Sequence, residues 1–274
     1  MNRSVRGALR YEWTRITTIR STYWLSASAL LLGVALSFVA AMGASFAFQS
    51  AHPPSVEDIG PFDQGVVTQF AALGAPYFVA YLLAMVSVFA WGHEYRHGMV
   101  RATLTALSSR TASWAAKFIV VGLWVAAVTA LTVLGSAVVG WLWLHDDGVD
   151  MFNGDTWPLM FWTVVYAVLF SWVAAGFTAL LRNQTAALVL LFVWPLAIEN
   201  VVKLVFQVVP FLRSHAGFTR FLPFDAGSRI INSLQSSDTV FGDPLALLGG
   251  LVVFGALAAV VMVAALVLFR RRDA

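Results

Sequence analysis

Long apolar stretches separated by short polar segments dominate the chain. Each of six stretches is long enough to cross about 30 Å of hydrocarbon at about 1.5 Å per residue. They are apolar throughout rather than alternating, which favours helices over the strands of a barrel. The first is too long for the apolar region of a signal peptide and is interpreted as a retained anchor. The predicted spans are Tyr23–Phe48, Phe70–Trp91, Phe118–Leu144, Leu159–Leu181, Ala186–Val209 and Leu245–Phe269.

Composition agrees with a membrane protein. Of the 274 residues, 59% are hydrophobic and 11% are charged, whereas an ordinary soluble domain carries about a quarter charged residues. The absence of cysteine excludes disulfides, thiolate catalysis and cysteine-held zinc. The formal net charge of +3 indicates no particular polyanionic partner, and nucleic acid is not expected.

The few charges are sorted by side. With six crossings, 13 of the 17 basic residues fall on one side and 10 of the 14 acidic residues on the other. The positive-inside rule then places both termini in the cytoplasm. The chain is expected to form one domain, with a cytoplasmic helix over 1–22, a six-helix bundle over 23–269 and a cytoplasmic tail over 270–274.

The N-terminal segment has the pattern of an amphipathic helix. Apolar residues recur at helical spacing, whereas arginines, Arg6 and Arg10 among them, cluster on another side. The apolar positions are Val5, Leu9, Trp13 and Ile16. Such a helix either anchors the chain in the headgroup region or docks a partner, and the sequence leaves both open.

The loop between the second and third spans contains a possible short helix. Val100, Leu104 and Leu107 would form its apolar face, with Arg96 and Arg101 near its start. A short helix lying along the inner membrane surface could transmit force to a soluble partner. A solvated basic loop is the alternative.

The same loop begins with His93-Glu94-x-x-His97, which matches the H-E-x-x-H zinc-protease signature. A zinc site needs a third protein ligand. The other acidic residues expected on this side, Glu12 and Asp273, lie near the chain ends. No metal site is therefore predicted, although a membrane zinc protease is kept as a lesser alternative.

The loop also resembles that of a known family. Residues 91–117 are similar to the first cytoplasmic loop of permease subunits of type-2 ATP-binding-cassette exporters, which are best known from bacteria. The matching positions are Glu94, Gly98, Arg101, Thr103, Leu104, Arg110 and Lys117. Trp194-Pro195 with Glu199, and the run Leu222 to Gly227, resemble two further segments of that family. The sequence departs from the pattern at Met99, where threonine is common, and lacks a proline before Arg110.

The resemblance implies a transport subunit rather than an enzyme. It implies that Glu94, Arg96, Gly98, Met99, Val100, Arg101, Leu104 and Leu107 form a coupling helix that contacts a separate ATPase subunit, with Arg6, Arg10 and Trp13 touching that subunit or the membrane. Two permease subunits, identical or related, would enclose the path in the cell membrane. ATP and magnesium would bind the partner, because no lysine here follows glycine as a phosphate-binding loop requires.

The fifth span carries two charges. Glu199 and Lys203 stand one turn apart, in the order that favours an i to i+4 ion pair. They are interpreted as a structural pair above a kink at Pro195, or as an outer gate. The mixed segment from Pro210 to Pro244 predicts one or two short outer helices. A secondary transporter working without ATP is the main alternative function, and the sequence does not indicate the substrate.

Overall fold

A computed structural model describes residues 3–48, 79–96, 98, 110–154, 156–231 and 245–272. These residues form helices joined by turns, with no strand among them. The helices are α1 (Arg3–Thr18), α2 (Arg20–Phe48), α3 (Ala80–Arg96), α4 (Arg110–Leu144), α5 (Thr156–Leu181), α6 (Gln184–Val208), α7 (Pro210–Arg213), α8 (Pro223–Ser228) and α9 (Leu247–Arg272).

Five of these helices are long and apolar enough to cross a membrane, namely α2, α4, α5, α6 and α9. They correspond to five of the six predicted spans, with ends that differ by up to eight residues. The predicted second span, Phe70–Trp91, begins outside the described residues, and its second half lies in α3. The chain is thus a multi-pass, all-helical membrane protein over its described parts.

The centre of the bundle is formed by α3 and α5. Both are lined on their contact faces by buried side chains, including Leu83, Phe170 and Val173. By contrast α6 exposes most of its surface, as do the outer faces of α2 and α9. In a bilayer, lipid or another helix would cover such faces.

Helix α4 is longer than its apolar stretch. It has 35 residues, which is about 52 Å at 1.5 Å per residue and exceeds the hydrocarbon thickness. The extra turns lie at its start and carry Arg110 and Lys117. Helix α1 packs along these first turns of α4, and only Ile19 separates α1 from α2.

The helix α6 changes its winding at Pro195. Residues Trp194–Ile198 form a π-helical segment in which the N–H of Glu199 donates to the carbonyl of Trp194. Proline has no N–H to donate to Leu191, four residues earlier. The hydroxyl of Tyr81 donates to that carbonyl instead, at 3.3 Å. A side chain of α3 therefore satisfies the polar group that the proline leaves open.

Candidate functional site

Four charged side chains from three helices meet where α1 crosses the ends of α3 and α4. We call Glu12, Arg15, Glu94 and Lys117 the inner charge cluster. Lys117 Nζ donates to Glu12 Oε1 at 2.8 Å, and an Arg15 guanidinium nitrogen lies 2.7 Å from Glu12 Oε2. Glu94 Oε1 accepts from both Lys117 and Arg15. Each carboxylate thus contacts both cations.

Three members of the inner charge cluster are almost inaccessible, and the Arg15 side chain is 14% exposed. Lys117 is 1% exposed, Glu12 2% and Glu94 3%. Burying a single unpaired charge costs roughly several kcal/mol, even after the surrounding protein has relaxed. Two carboxylates and two cations compensate one another, and the Lys117 ammonium also lies 5.3 Å from the centre of the Trp91 ring. Each buried charge is therefore stabilised by the others, and removal of one leaves its partners uncompensated.

The position of each member follows from its helix. Glu12 shares a face of α1 with Ala8 and Ile16, which are both buried. Glu94 comes two residues before the end of α3, and Lys117 two turns after the start of α4. The cluster therefore joins α1 to both helices that flank residues 97–109.

Only part of the predicted coupling helix can be described. Glu94 is buried in the inner charge cluster, whereas Arg96 and Gly98 are exposed. Gly98 has a φ of 64°, a left-handed conformation that favours glycine. It follows the last residues of α3, where glycine commonly ends a helix. Met99, Val100, Arg101, Leu104 and Leu107 lie outside the described residues.

The H-E-x-x-H match has a different setting from a zinc site. The glutamate that would act as the base, Glu94, is held by Lys117 and Arg15. The His93 ring stacks on Phe89, with ring centres 5.6 Å apart. His97 lies outside the described residues, and the described ones contain no group of three metal-ligating side chains.

The contact face of α1 differs from the predicted apolar face. Its most buried residues are Ala8, Glu12 and Ile16, whereas Trp13 is 48% exposed. The face that packs on the bundle is thus centred on Glu12, whereas the exposed Trp13 remains available for the predicted contact with a partner or the membrane. Trp13 also contacts the edge of Trp124 of α4, and Arg6 and Arg10 are exposed as expected.

A second polar site lies near the other end of α6. Glu199 Oε1 accepts the Phe224 N–H and Glu199 Oε2 accepts the Asp225 N–H, both at 2.8 Å. Lys203 forms an ion pair with Asp225. We call Glu199, Lys203, Phe224 and Asp225 the outer clasp. Among the described residues, no ion pair joins Glu199 to Lys203, so the predicted i to i+4 partnership is wrong.

The outer clasp supplies a cap that α8 lacks. The first N–H groups of a helix have no partner within it, and they attract negative charge. The residue before α8 is Leu222, whose side chain cannot accept a hydrogen bond, and Pro223 has no N–H. The carboxylate of Glu199 therefore satisfies the next two N–H groups from a different helix.

Helix α8 is also held by α9. A Cβ on Gly250 would collide with the carbonyl oxygen of Ala226, and one on Gly227 would lie 2.9 Å from the Phe254 ring. The two helices approach so closely only because both positions are glycine. The outer clasp joins α6 to α8, and these glycine contacts join α8 to α9.

A small polar cavity of about 80 Å³ adjoins the outer clasp. Tyrosine side chains from α3 and α5 line it together with the clasp residues Glu199, Lys203 and Asp225. It is large enough for a few water molecules. In the segment predicted to hold one or two short helices, the described residues form three, namely α7, a 3₁₀ helix over Ala216–Phe221, and α8.

Sequence reasoning missed Glu12, Arg15 and Lys117 as site residues. A signal for Glu12 existed, since an acidic residue stood four positions from Ile16 on a helix with an apolar face. For Lys117 the signal was its position just before an apolar span. Neither signal names a partner, because the contacts join residues far apart in the chain.

Comparison with protein-family models and with curated proteins gave no match to this chain.

Proposed function

We propose that the chain is the membrane-spanning permease subunit of an ATP-binding-cassette exporter of type 2, with ATP hydrolysed by a separate subunit. The resemblance of residues 91–117 to the coupling loop of that family is the first support. The structural observation that supports it most is the inner charge cluster. Its ion pairs join the two helices that flank that loop to each other and to α1.

The cluster gives the loop the mechanical properties that coupling needs. Glu94 and Lys117 hold α3 and α4 together beside residues 97–109, and Glu12 with Arg15 adds α1. A displacement imposed on the loop by a partner would then move three helices as a unit. A loop with few buried contacts moves independently of the helices next to it, so its displacement would not reach them. We infer that α1 and the loop form one docking surface for the ATPase.

In this proposal both termini and the inner charge cluster lie in the cytoplasm. The basic residues support this orientation, because the start of α4 and the end of α9 lie together. Arg110 donates to the carbonyl of Arg270 at 3.4 Å, and Trp91 contacts the edge of Phe269. The membrane would be the cell membrane, and a second permease subunit would complete the path.

A secondary transporter is the alternative, and the polar cavity beside Glu199 is the observation that favours it. Such transporters place ionisable groups near the midplane and use interrupted helices. Here the interruption at Pro195 is bridged by Tyr81, and both oxygens of Glu199 are engaged by backbone N–H groups. These contacts favour a structural role. The zinc protease is disfavoured by the engagement of Glu94.

The test uses the full chain, affinity-purified from its native membrane in mild detergent. The proposal expects a stoichiometric partner that contains a phosphate-binding loop, and ATP hydrolysis by the complex. Because the chain has no cysteine, Arg96→Cys provides a single cross-linking site. It should cross-link to that partner, whereas Phe211→Cys, which is exposed at the opposite end, should not.

Transport by the chain reconstituted alone would overturn the proposal in favour of the secondary transporter. Zinc retained by the purified chain and lost in His93→Ala would overturn it in favour of the protease.

A further inference from the structure

An open groove of about 770 Å³ runs between α1 and α4, on the side of α1 that faces away from the inner charge cluster. Its lining divides into an apolar wall and a basic rim. The wall is formed by Leu9, Trp13, Ile119, Val120 and Leu123, and the rim by Arg6 and Arg10 with Gly7 between them.

The apolar wall extends along α4 into its membrane-spanning part. Ile119 is 44% exposed and Leu123, one turn further along, is 58% exposed, whereas Val120 between them is buried. Trp13 stands at the side of the groove, where an indole ring is favoured at the boundary between headgroups and hydrocarbon. The wall therefore has the polarity of a site for the part of an acyl chain that lies next to the headgroup.

The basic rim has no acidic partner in the described part of the chain. Arg15 pairs with Glu12 and Glu94, but neither Arg6 nor Arg10 forms an ion pair there. The two stand one turn apart on α1, so their guanidinium groups can reach one anion together. Guanidinium binds phosphate oxygens in pairs of parallel hydrogen bonds.

Space for such an anion exists above Gly7. A Cβ built on this glycine has no atom within 4 Å, so nothing in the described residues covers α1 beside the two arginines. The groove thus presents two cations, open space beside them and an apolar wall that continues along α4.

We propose that the groove binds one anionic phospholipid, with its phosphodiester on Arg6 and Arg10 and an acyl chain along Leu9, Ile119 and Leu123. The pairing of a doubly cationic rim with an apolar wall favours a lipid over a second copy of the chain. In the described residues near the groove, a second copy would present the same unpaired arginines and no carboxylate for them. This proposal goes beyond the transport function and does not depend on it.

The test measures lipid retention by native mass spectrometry of the purified chain, with phosphatidylglycerol against phosphatidylcholine as probes. The wild-type chain should retain one phosphatidylglycerol preferentially. Removing one arginine near an anionic surface lowers affinity roughly fivefold. Arg6→Gln with Arg10→Gln should therefore lower phosphatidylglycerol retention by about twenty-five-fold, and phosphatidylcholine retention little.

The matched control removes the same charge elsewhere. Arg20→Gln with Arg271→Gln also deletes two exposed arginines, but neither lines the groove. The chain in detergent has no anionic bilayer surface that would attract them, so retention should stay within about twofold of wild type. An equal loss in this control would overturn the site, because nonspecific attraction would then explain binding. Absence of any preference between the two lipids would also overturn it.

A second variant fills the groove and leaves its charges intact. Gly7→Leu has room for its side chain and should lower retention of phosphatidylglycerol at least fivefold, by analogy with the loss of one arginine. Gly43→Leu is the control, since a Cβ there also meets nothing within 4 Å. Unchanged retention in Gly7→Leu would overturn the position proposed for the phosphodiester.

Glycerophosphoglycerol distinguishes a lipid from a free phosphate, because it carries the phosphodiester and headgroup of phosphatidylglycerol without an acyl chain. It should not displace the lipid at millimolar concentration, and displacement would overturn the lipid assignment. A dimer lost together with Arg6 and Arg10 would overturn it in favour of a second copy.

Discussion

Lys117 and Glu12 stand 105 positions apart in the sequence and are joined by a hydrogen bond of 2.8 Å inside the protein. Lys117 begins a membrane span, and Glu12 lies on the helix that precedes the first span. Their contact fixes the N-terminal helix to the start of α4. It also leaves neither residue free to serve as a surface contact for a partner.

Lys117→Met should destabilise the protein strongly. It leaves Glu12 and Glu94 buried with one cation between them, and breaking a buried charge set in this way costs about 3–5 kcal/mol. The midpoint of thermal unfolding in detergent should therefore fall by roughly several degrees. Arg271→Met, at an exposed position of the same end, should leave the midpoint unchanged.

Glu94→Gln combined with Lys117→Met should be less harmful than the two single changes together. The double variant removes one charge of each sign and leaves the pair of Arg15 and Glu12 intact. A double-mutant cycle on thermal midpoints should give a coupling of about 1–3 kcal/mol. Additive effects would show that Glu94 and Lys117 are not energetically linked.

Glu199→Gln should release the start of α8. The glutamine keeps one acceptor oxygen and turns an NH₂ group toward an N–H donor, which costs about 1–3 kcal/mol. Hydrogen exchange at Phe224 and Asp225 should accelerate, while the core of α5 exchanges as before. If exchange were unchanged and only transport fell, Glu199 would act in the path instead of in the cap.

Gly250→Ala and Gly255→Ala should differ in sign although they lie in one helix. A Cβ at Gly250 collides with the carbonyl of Ala226, and one at Gly255 meets nothing within 4 Å. Overpacking costs about 1–3 kcal/mol, whereas a glycine-to-alanine change in an unobstructed helix gains up to about 1 kcal/mol. Thermal midpoints of the two variants should lie on opposite sides of the wild-type value, and equal shifts would contradict the close approach of α8 and α9.

Single cysteines should report the orientation of the chain. Asp146→Cys is strongly exposed, since the Asp146 side chain is 88% accessible. With the basic end inside, it should react with a membrane-impermeant maleimide in intact cells. Arg271→Cys should react only after permeabilisation. The reverse pattern would invert the proposed topology and place the inner charge cluster outside the cell.

The spans were predictable from the sequence because apolar length is a local property. The end of α5 at Leu181 and the start of α6 two residues before Ala186 both follow from where polar residues interrupt the pattern. The early start of α4 was not predicted, since its first turns mix charged and hydroxyl residues with alanines. The packing of Ala112 and Ala116 on Ala8 of α1 depends on residues far apart in the sequence.

The polar contacts were not predictable, because each depends on which helices become neighbours. Glu199 had an attractive partner four residues away in Lys203, yet its carboxylate binds Phe224 and Asp225, 25 and 26 residues further on. The N–H groups at the start of α8 have no other partner in the described part of the chain, so they bind the Glu199 carboxylate. The Lys203 ammonium pairs with Asp225 instead. Glu94 illustrates the same limit, since its motif suggested a metal and its neighbours supply two cations.

The π-helical segment at Trp194–Ile198 sets the direction around the helix axis in which every later side chain of α6 points. An α-helix advances by about 100° per residue, and a π-turn takes in one more residue for the same rotation. Were this segment regularly α-helical, Glu199 and Lys203 would be turned by about 100° around the helix axis and the carboxylate would miss α8. Pro195, which touches neither N–H group, thereby sets the direction in which the outer clasp closes.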